Sequence, residues 1–191
     1  MIQAFDFDKT LTYQDSLLGF FREVSPSTIA FRLRWVPFLA VAVLHKLKLA
    51  SNDQLKAAGV ALFLKGKGRE EIHAAAQRYA TKIKYNDLYR RLPEVTAKAT
   101  TVIIVTASFE EYVGVIFPQA PYSVIGARLA WQNDRVVGLE RNCYAAQKVD
   151  ALEQIGITSV DEFYTDSESD RPVMNLAQRV FMVDGDVVSE K

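Results

Sequence analysis

Apolar runs of strand length fall at residues 2–7, 102–105, 163–164 and 180–183, and helical patterns lie between them at about 110–117, 145–155 and 171–177. Few folds accommodate this alternation, because each helix must cross over to lay the next strand in the same sheet. The pattern predicts an α/β fold with a doubly wound, mainly parallel sheet. In such sheets ligands bind beyond the carboxyl ends of the strands, so chemistry is sought in the polar residues that follow each apolar run. Asp184-Gly185 suits a tight turn closing a terminal antiparallel pair.

One long stretch breaks the alternation. Residues 17–92 carry helix signals and no convincing strand. Ser25-Pro26 reads as an N-cap followed by proline at the first helical position, and Pro37 is expected to interrupt or restart that helix. Ser51 and Gln54 form a capping-box pattern, while Gly66 and Gly68 separate that helix from one running from Arg69 to about Ile83. Overall charge is zero, with 23 bases and 23 acids, yet residues 32–91 hold thirteen bases against four acids, a balance of +9. The rest of the chain carries −9. The expected organisation is therefore a core of residues 1–16 and 93–191 with a basic helical insertion at 17–92. Such a segment is either a set of solvated helix faces or a surface that meets an anionic partner.

At 191 residues and 49% hydrophobic, the chain can bury roughly 70% of its unfolded surface, which excludes a disordered or low-complexity protein. The single Cys143 rules out an internal disulfide framework. The opening residues lack a cationic leader, so a reducing cytoplasm is the expected compartment. Residues 35–44 are apolar throughout, between Arg32 and Arg34 on one side and Lys46 and Lys48 on the other. Ten residues fall short of the roughly 20 that span a bilayer. A buried or cleft-lining helix is favoured over one lying at a lipid interface.

Each candidate for chemistry sits at a predicted strand end or helix start. The first strand runs into Asp6-Phe7-Asp8-Lys9-Thr10, where two carboxylates one residue apart can divide the work on a phosphoryl group. One attacks phosphorus or binds a cation, and the other moves a proton. The second strand ends in Thr106-Ala107-Ser108, whose hydroxyl can hold a phosphoryl oxygen, and Lys148 at a helix start can neutralise developing charge. The third ends in Thr165-Asp166-Ser167-Glu168-Ser169-Asp170. Asp6, Asp8 and Asp166 form an all-oxygen set suited to Mg²⁺. Each fragment alone occurs in ordinary turns and caps; their order and placement together are specific.

These residues resemble the four motifs of the haloacid dehalogenase-like (HAD) phosphohydrolases. Asp6-Phe7-Asp8-Lys9-Thr10 is similar to the first motif, Thr106 to the second, Lys148 to the third, and Asp166 with Asp170 to the fourth. The resemblance covers the whole chain and places residues 17–92 where the phosphoserine phosphatase-like subgroup carries a helical cap. It implies a Mg²⁺-dependent, two-step hydrolysis in which Asp6 forms an aspartyl-phosphate and Asp8 serves as acid and then base. Thr106 and Lys148 would hold phosphoryl oxygens. The metal would be taken by the Asp6 carboxylate, the Asp8 carbonyl and Asp166. Thr10, Ala107 and Asp170 would be supporting positions, Asp170 holding the metal through water or orienting Lys148. Family ATPases usually have Thr at the Asp8 position and dehalogenases lack that acid, so a phosphatase or phosphotransferase is implied. Thr165 departs from the Gly often found in the fourth motif.

Within the subgroup, the closest resemblance is to the phosphatidylglycerophosphate phosphatase C type, through Leu11-Thr12-Tyr13-Gln14-Asp15, residues 36–44 and the run from Asp166 to Pro172. A basic cap with an apolar helix suits an anionic phospholipid and peripheral contact with an inner membrane surface. The alternative is a soluble phosphomonoester such as phosphoserine, although Asp15 stands where members of that specificity commonly carry Glu. A catalytically inactive HAD-fold binding domain is a third reading. Arg32, Arg34, Lys65, Lys67, Arg90 and Arg91 are candidate substrate contacts. His45 and His73 lack the spacing of a zinc site, Cys143 reads as packing, and Arg128, Arg135 and Arg141 as decoration of a strand hairpin rather than a nucleic-acid surface.

Overall fold

A computed structural model describes all 191 residues. Seven strands form one sheet in the order β4-β3-β2-β1-β5-β6-β7. They are β1 (Ile2–Phe5), β2 (Thr101–Phe109), β3 (Tyr122–Gln132), β4 (Arg135–Arg141), β5 (Val160–Thr165), β6 (Ala177–Asp184) and β7 (Val187–Glu190). The five central strands are parallel, and β4 and β7 close the edges antiparallel. The expected mainly parallel, doubly wound sheet is what the chain adopts. Successive strands run outward from β1 in one direction as β2 and β3 and in the other as β5 and β6. The topological switch point therefore lies at the carboxyl end of β1.

Nine α-helices accompany the sheet. Six lie between β1 and β2: α1 (Leu17–Val24), α2 (Thr28–Lys46), α3 (Asn52–Gly59), α4 (Arg69–Ala80), α5 (Asp87–Arg90) and α6 (Leu92–Val95). The others are α7 (Glu110–Ile116), α8 (Ala146–Glu153) and α9 (Arg171–Met174). The Ser51–Gln54 capping box forms as read, and Gly66 turns the chain at φ +82° before α4. The Asp184–Val187 pair closes the terminal hairpin around Gly185, whose φ is +60°. Arg128, Arg135 and Arg141 lie on the β3–β4 hairpin, where Arg128 and Arg141 both reach Glu110.

Two apolar cores flank the sheet. One, which includes Cys143, packs α8 and α9 against Ala4, Ile103 and Phe163. The other is continuous from Phe5 and Phe7 of the first strand region into Phe20, Phe21 and Phe63 of the helical insertion. Phe20 stacks on Tyr112 and Phe21 on Phe63 at ring-centroid distances of 4.5 and 4.8 Å. Gly59 belongs at this junction, since a Cβ there would sit 2.8 Å from the Phe21 ring.

Two expectations for the insertion are corrected. Ser27, not Ser25, caps α2, its hydroxyl accepting the Ala30 N–H. Pro37 does not stop the helix. The carbonyl deprived of its partner belongs to Leu33, 72% exposed, where water can take the hydrogen bond. Helix α2 consequently runs for 19 residues, and Phe38 is its one buried residue. Its apolar run divides: Trp35, Phe38 and Ala42 line a cleft, as read, while Val36, Leu39 and Val43 are exposed. Apolar composition around a whole helix does not say which side a neighbour will cover.

Candidate active site

The carboxyl ends of β1, β2 and β5 converge, and the sequence explains why each delivers polar groups there. β1 ends at Phe5, and Asp6 continues its parallel pairing through an N–H to the Tyr164 carbonyl at 2.9 Å. Asp6 is thereby carried into the interior, where Lys148 from the first turn of α8 meets it with Nζ 2.7 Å from Oδ1. The same ammonium lies 2.7 Å from Asp170 Oδ2. All three side chains are buried, so a carboxylate–ammonium–carboxylate triad with one excess negative charge is enclosed.

Thr10 and Thr165 tie this triad to the backbone. The buried Thr10 hydroxyl accepts the Asp166 N–H at 3.0 Å and makes a long 3.4 Å contact to Asp6 Oδ2. Thr165 donates to Asp170 Oδ2 at 2.8 Å and accepts the Ser167 N–H at 3.1 Å. The threonine that departs from the fourth motif thus holds Asp170 in place. Burial pushes the Asp6 carboxyl upward, with Lys148 opposing and Asp170 adding to the rise. Burial alone would lower the Lys148 ammonium, but its two carboxylate partners outweigh that and raise it.

Asp8 stands apart from the triad. Its Oδ1 accepts the Ser16 N–H at 2.7 Å and its Oδ2 the Ser108 hydroxyl at 2.5 Å. Ser16 opens the helical insertion and is itself held by Tyr112 and Tyr79, so Asp8 is anchored to the residue at which that insertion begins. Burial, followed by the charge of Asp15, pushes Asp8 up to about 6. A carboxyl raised this far toward neutrality can both give and take a proton, which suits acid–base work.

The remaining sequence candidates are placed unevenly. Thr106 is buried but turns its Oγ1 to the Ser108 N–H, while Ala107 lines the cleft beside Asp8 and its carbonyl accepts the Lys56 ammonium. Asp166 is half-buried and opens on a separate 370 Å³ cleft with Lys9. Its carboxylate accepts no hydrogen bond from another residue, and burial raises it. No three carboxylate, His or Cys side chains come together as a ready-made cage. A metal taken by the Asp6 and Asp166 carboxylates would complete its shell with the Asp8 carbonyl and water.

Above Asp8 lies a cleft of about 440 Å³, lined by Leu17, Leu18, Phe21, Trp35, Phe38 and Leu55 together with Asp15, Lys56 and Ser108. None of the six insertion bases named as substrate contacts lines it. Lys67, Arg90 and Arg91 are instead paired with Glu71, Asp87 and Glu94. Lys56 is the cation present, buried among apolar groups and 5.8 Å from the Phe109 ring centroid. Sequence reasoning missed it, though a signal existed: Lys56, Val60 and Phe63 share one helical face, a lone base on an apolar stripe. Burial pulls its ammonium down to about 8.

A buried charge with one neutral partner is a cost to the fold. Lys56→Met is expected to raise stability by about 1–2 kcal/mol while weakening turnover of any anionic substrate. The wild type binds fewer protons folded than unfolded between about pH 8 and the free lysine value near 10.4, so its stability climbs across that window. Urea unfolding as a function of pH should show that climb in the wild type and a flatter line in the variant.

Fold and site together define an α/β protein with an acidic, lysine-bridged centre at its switch point. The chain belongs to the haloacid dehalogenase-like hydrolase family, whose sequence pattern matches residues 4–175. It is 32% identical over 170 residues to Protein CicA of Caulobacter vibrioides, covering 81% of this chain and 72% of that protein. Among solved structures it resembles a Bordetella pertussis protein of unknown function, with a TM-score of 0.76 at 16% identity over 94% of this chain and 87% of that one. A substrate-bound phosphoserine phosphatase gives 0.62 at 16% identity over 94% and 83%. A HAD family hydrolase from Salmonella enterica serovar Typhi gives 0.64 at 17% identity over 92% of this chain, which spans 59% of that longer protein.

Proposed function

We propose that this hydrolase cleaves phosphomonoesters and that its substrate carries an apolar body, an anionic phospholipid phosphate such as phosphatidylglycerophosphate. The observation that carries the reading is the apolar cleft opening directly on Asp8, with one buried ammonium, Lys56, at its wall. An apolar pocket with a few convergent polar groups is the ordinary form of a small-molecule site.

Asp6 is the nucleophile. Its Oδ1 is held by Lys148, which leaves Oδ2, touched by Thr10 at 3.4 Å, to attack phosphorus. The phosphorus–oxygen bond to the leaving group breaks as Asp8 gives that oxygen a proton. Asp8 then takes a proton from the water that attacks the aspartyl-phosphate, releasing inorganic phosphate and regenerating Asp6. Lys148 neutralises charge on the phosphoryl oxygens, and Asp170 with Thr165 fixes the ammonium where it does so. Thr106 accepts the Ser108 N–H and keeps its own hydroxyl proton for a phosphoryl oxygen, while Ser108 orients Asp8. The donor set of Asp6, Asp166 and the Asp8 carbonyl fits Mg²⁺, which when bound supplies further neutralisation of phosphoryl charge.

Asp15 supports a second reading. A carboxylate at the edge of the same cleft would also suit a soluble phosphomonoester bearing an ammonium, such as phosphoserine. Phosphate release from phosphatidylglycerophosphate, phosphatidate, phosphoserine and sugar phosphates separates the two. The expected result is Mg²⁺-dependent release chiefly from a lipid, abolished by a chelator. Preference for phosphoserine would replace the lipid reading, and silence across the panel from folded protein would favour a binding domain.

A further inference from the structure

Helix α2 has two apolar sides, and only one is used by the fold. Phe31 and Phe38 pack inward against Phe63, and Trp35 packs between Phe31 and Phe38, with ring-centroid distances of 5.5 to 5.8 Å. The outer side presents Ile29, Leu33, Val36, Ala40, Val43 and Leu47, spaced by three or four residues along a single stripe. Ile29, Leu33 and Val36 are each at least 70% exposed. A stripe of this length left bare marks a surface that meets an apolar partner.

Charge identifies the partner. Helix α2 contains no Asp or Glu, and Arg32 and Arg34 lie near the start of its stripe and Lys46 and Lys48 at its end. None of these four bases has a carboxylate partner, whereas six other bases of the insertion are paired. A second copy of the chain docked on the stripe would set base against base in either orientation. An anionic lipid surface satisfies both the stripe and its cationic ends.

Topology decides how the helix meets that surface. With 19 residues and mean hydropathy 1.3, α2 is long and apolar enough to cross a membrane. A single crossing would leave α1 and the helices after α2 on opposite sides. Yet Phe21 of α1 stacks on Phe63, and Phe20 lies 6.1 Å from Tyr79 of α4. Helix α2 therefore cannot cross without tearing this core apart.

We propose that α2 lies flat on an anionic lipid surface, its stripe immersed among the acyl chains and its terminal bases on the headgroups. The inner face of the same helix supplies Trp35 and Phe38 to the cleft above Asp8. An amphiphile leaving the surface has only the width of one helix, about 10 Å, to travel. This use of the surface rests on the phosphatase reading, but adhesion itself does not.

The test is co-sedimentation of the full chain with phosphatidylcholine vesicles with and without phosphatidylglycerol. The wild type and Asp6→Asn should both bind the anionic vesicles, more weakly as salt rises, and both should ignore neutral ones. The double variant Leu33→Glu with Val36→Glu lies on the outer face and should keep the wild-type melting temperature while binding about tenfold more weakly or worse. Absence of wild-type binding, or undiminished binding by the variant, overturns the proposal. So does a wild-type dimer in sedimentation equilibrium that the variant converts to monomer, since a second copy would then cover the stripe. Vesicle binding without phosphatase activity would sink the function proposed above and leave this surface standing; activity without binding would do the reverse.

Discussion

Asp6→Asn is expected to lower phosphate release by about 10⁴-fold or more while leaving the protein folded and no less stable. The first effect follows from the proposed role of Asp6 as nucleophile, since nucleophile replacements are among the costliest in enzymes. The second follows from the charge count of the buried triad. Asp6, Lys148 and Asp170 together enclose one excess negative charge, and burial already opposes ionisation of Asp6. An amide at this position leaves the Lys148–Asp170 pair intact and neutralises the set. Steady-state turnover with thermal unfolding of the same preparations checks both halves. Activity within tenfold of wild type would remove Asp6 from the role of nucleophile, and a large loss of stability would contradict the electrostatic account.

Lys148→Met should have the opposite signature, destabilising by about 3–5 kcal/mol as well as abolishing activity. The ammonium is the common partner of two buried carboxylates, each 2.7 Å away, and its loss leaves them facing one another uncompensated. Adding Asp170→Asn removes one of the two charges and should restore a substantial part of the stability without restoring turnover. Denaturant unfolding of the single and double variants measures this coupling directly. A cost below about 1 kcal/mol for the single variant would mean that the triad does not contribute as a buried ion network.

These two predictions draw on residues that lie 142 and 22 positions apart in the chain, yet their placement at one centre was legible beforehand. Strand-length apolar runs ending in polar residues are a local property, and a parallel sheet brings such ends together by construction. The contacts that orient the centre were not legible in the same way. Ser108 reaches Asp8 across 100 residues, and Thr165 grips Asp170 through a hydroxyl that sequence comparison marks only as a departure from glycine. Either could have been an ordinary polar residue near a strand end. Their roles depend on side-chain direction, which periodicity does not encode beyond a choice of face.

The helical insertion divides the same way. The capping box at Ser51, the break at Gly66 and the excess of positive charge are all written in the residues themselves. The six bases named as substrate contacts lie outside the cleft, and Lys56, unremarkable by composition, lines it. Helix α2 shows the limit most sharply. Its sequence determines that it is apolar and carries bases toward both ends, because these depend on residue type alone, whereas its passage through Pro37 was decided by the exposure that lets water take the Leu33 carbonyl. Whether the apolar surface would be covered was decided only when Phe31 and Phe38 found Phe63 and committed one face to the core. A sequence specifies how much apolar surface a helix carries; tertiary packing specifies which part remains for another partner, because burial depends on neighbours and not on the helix alone.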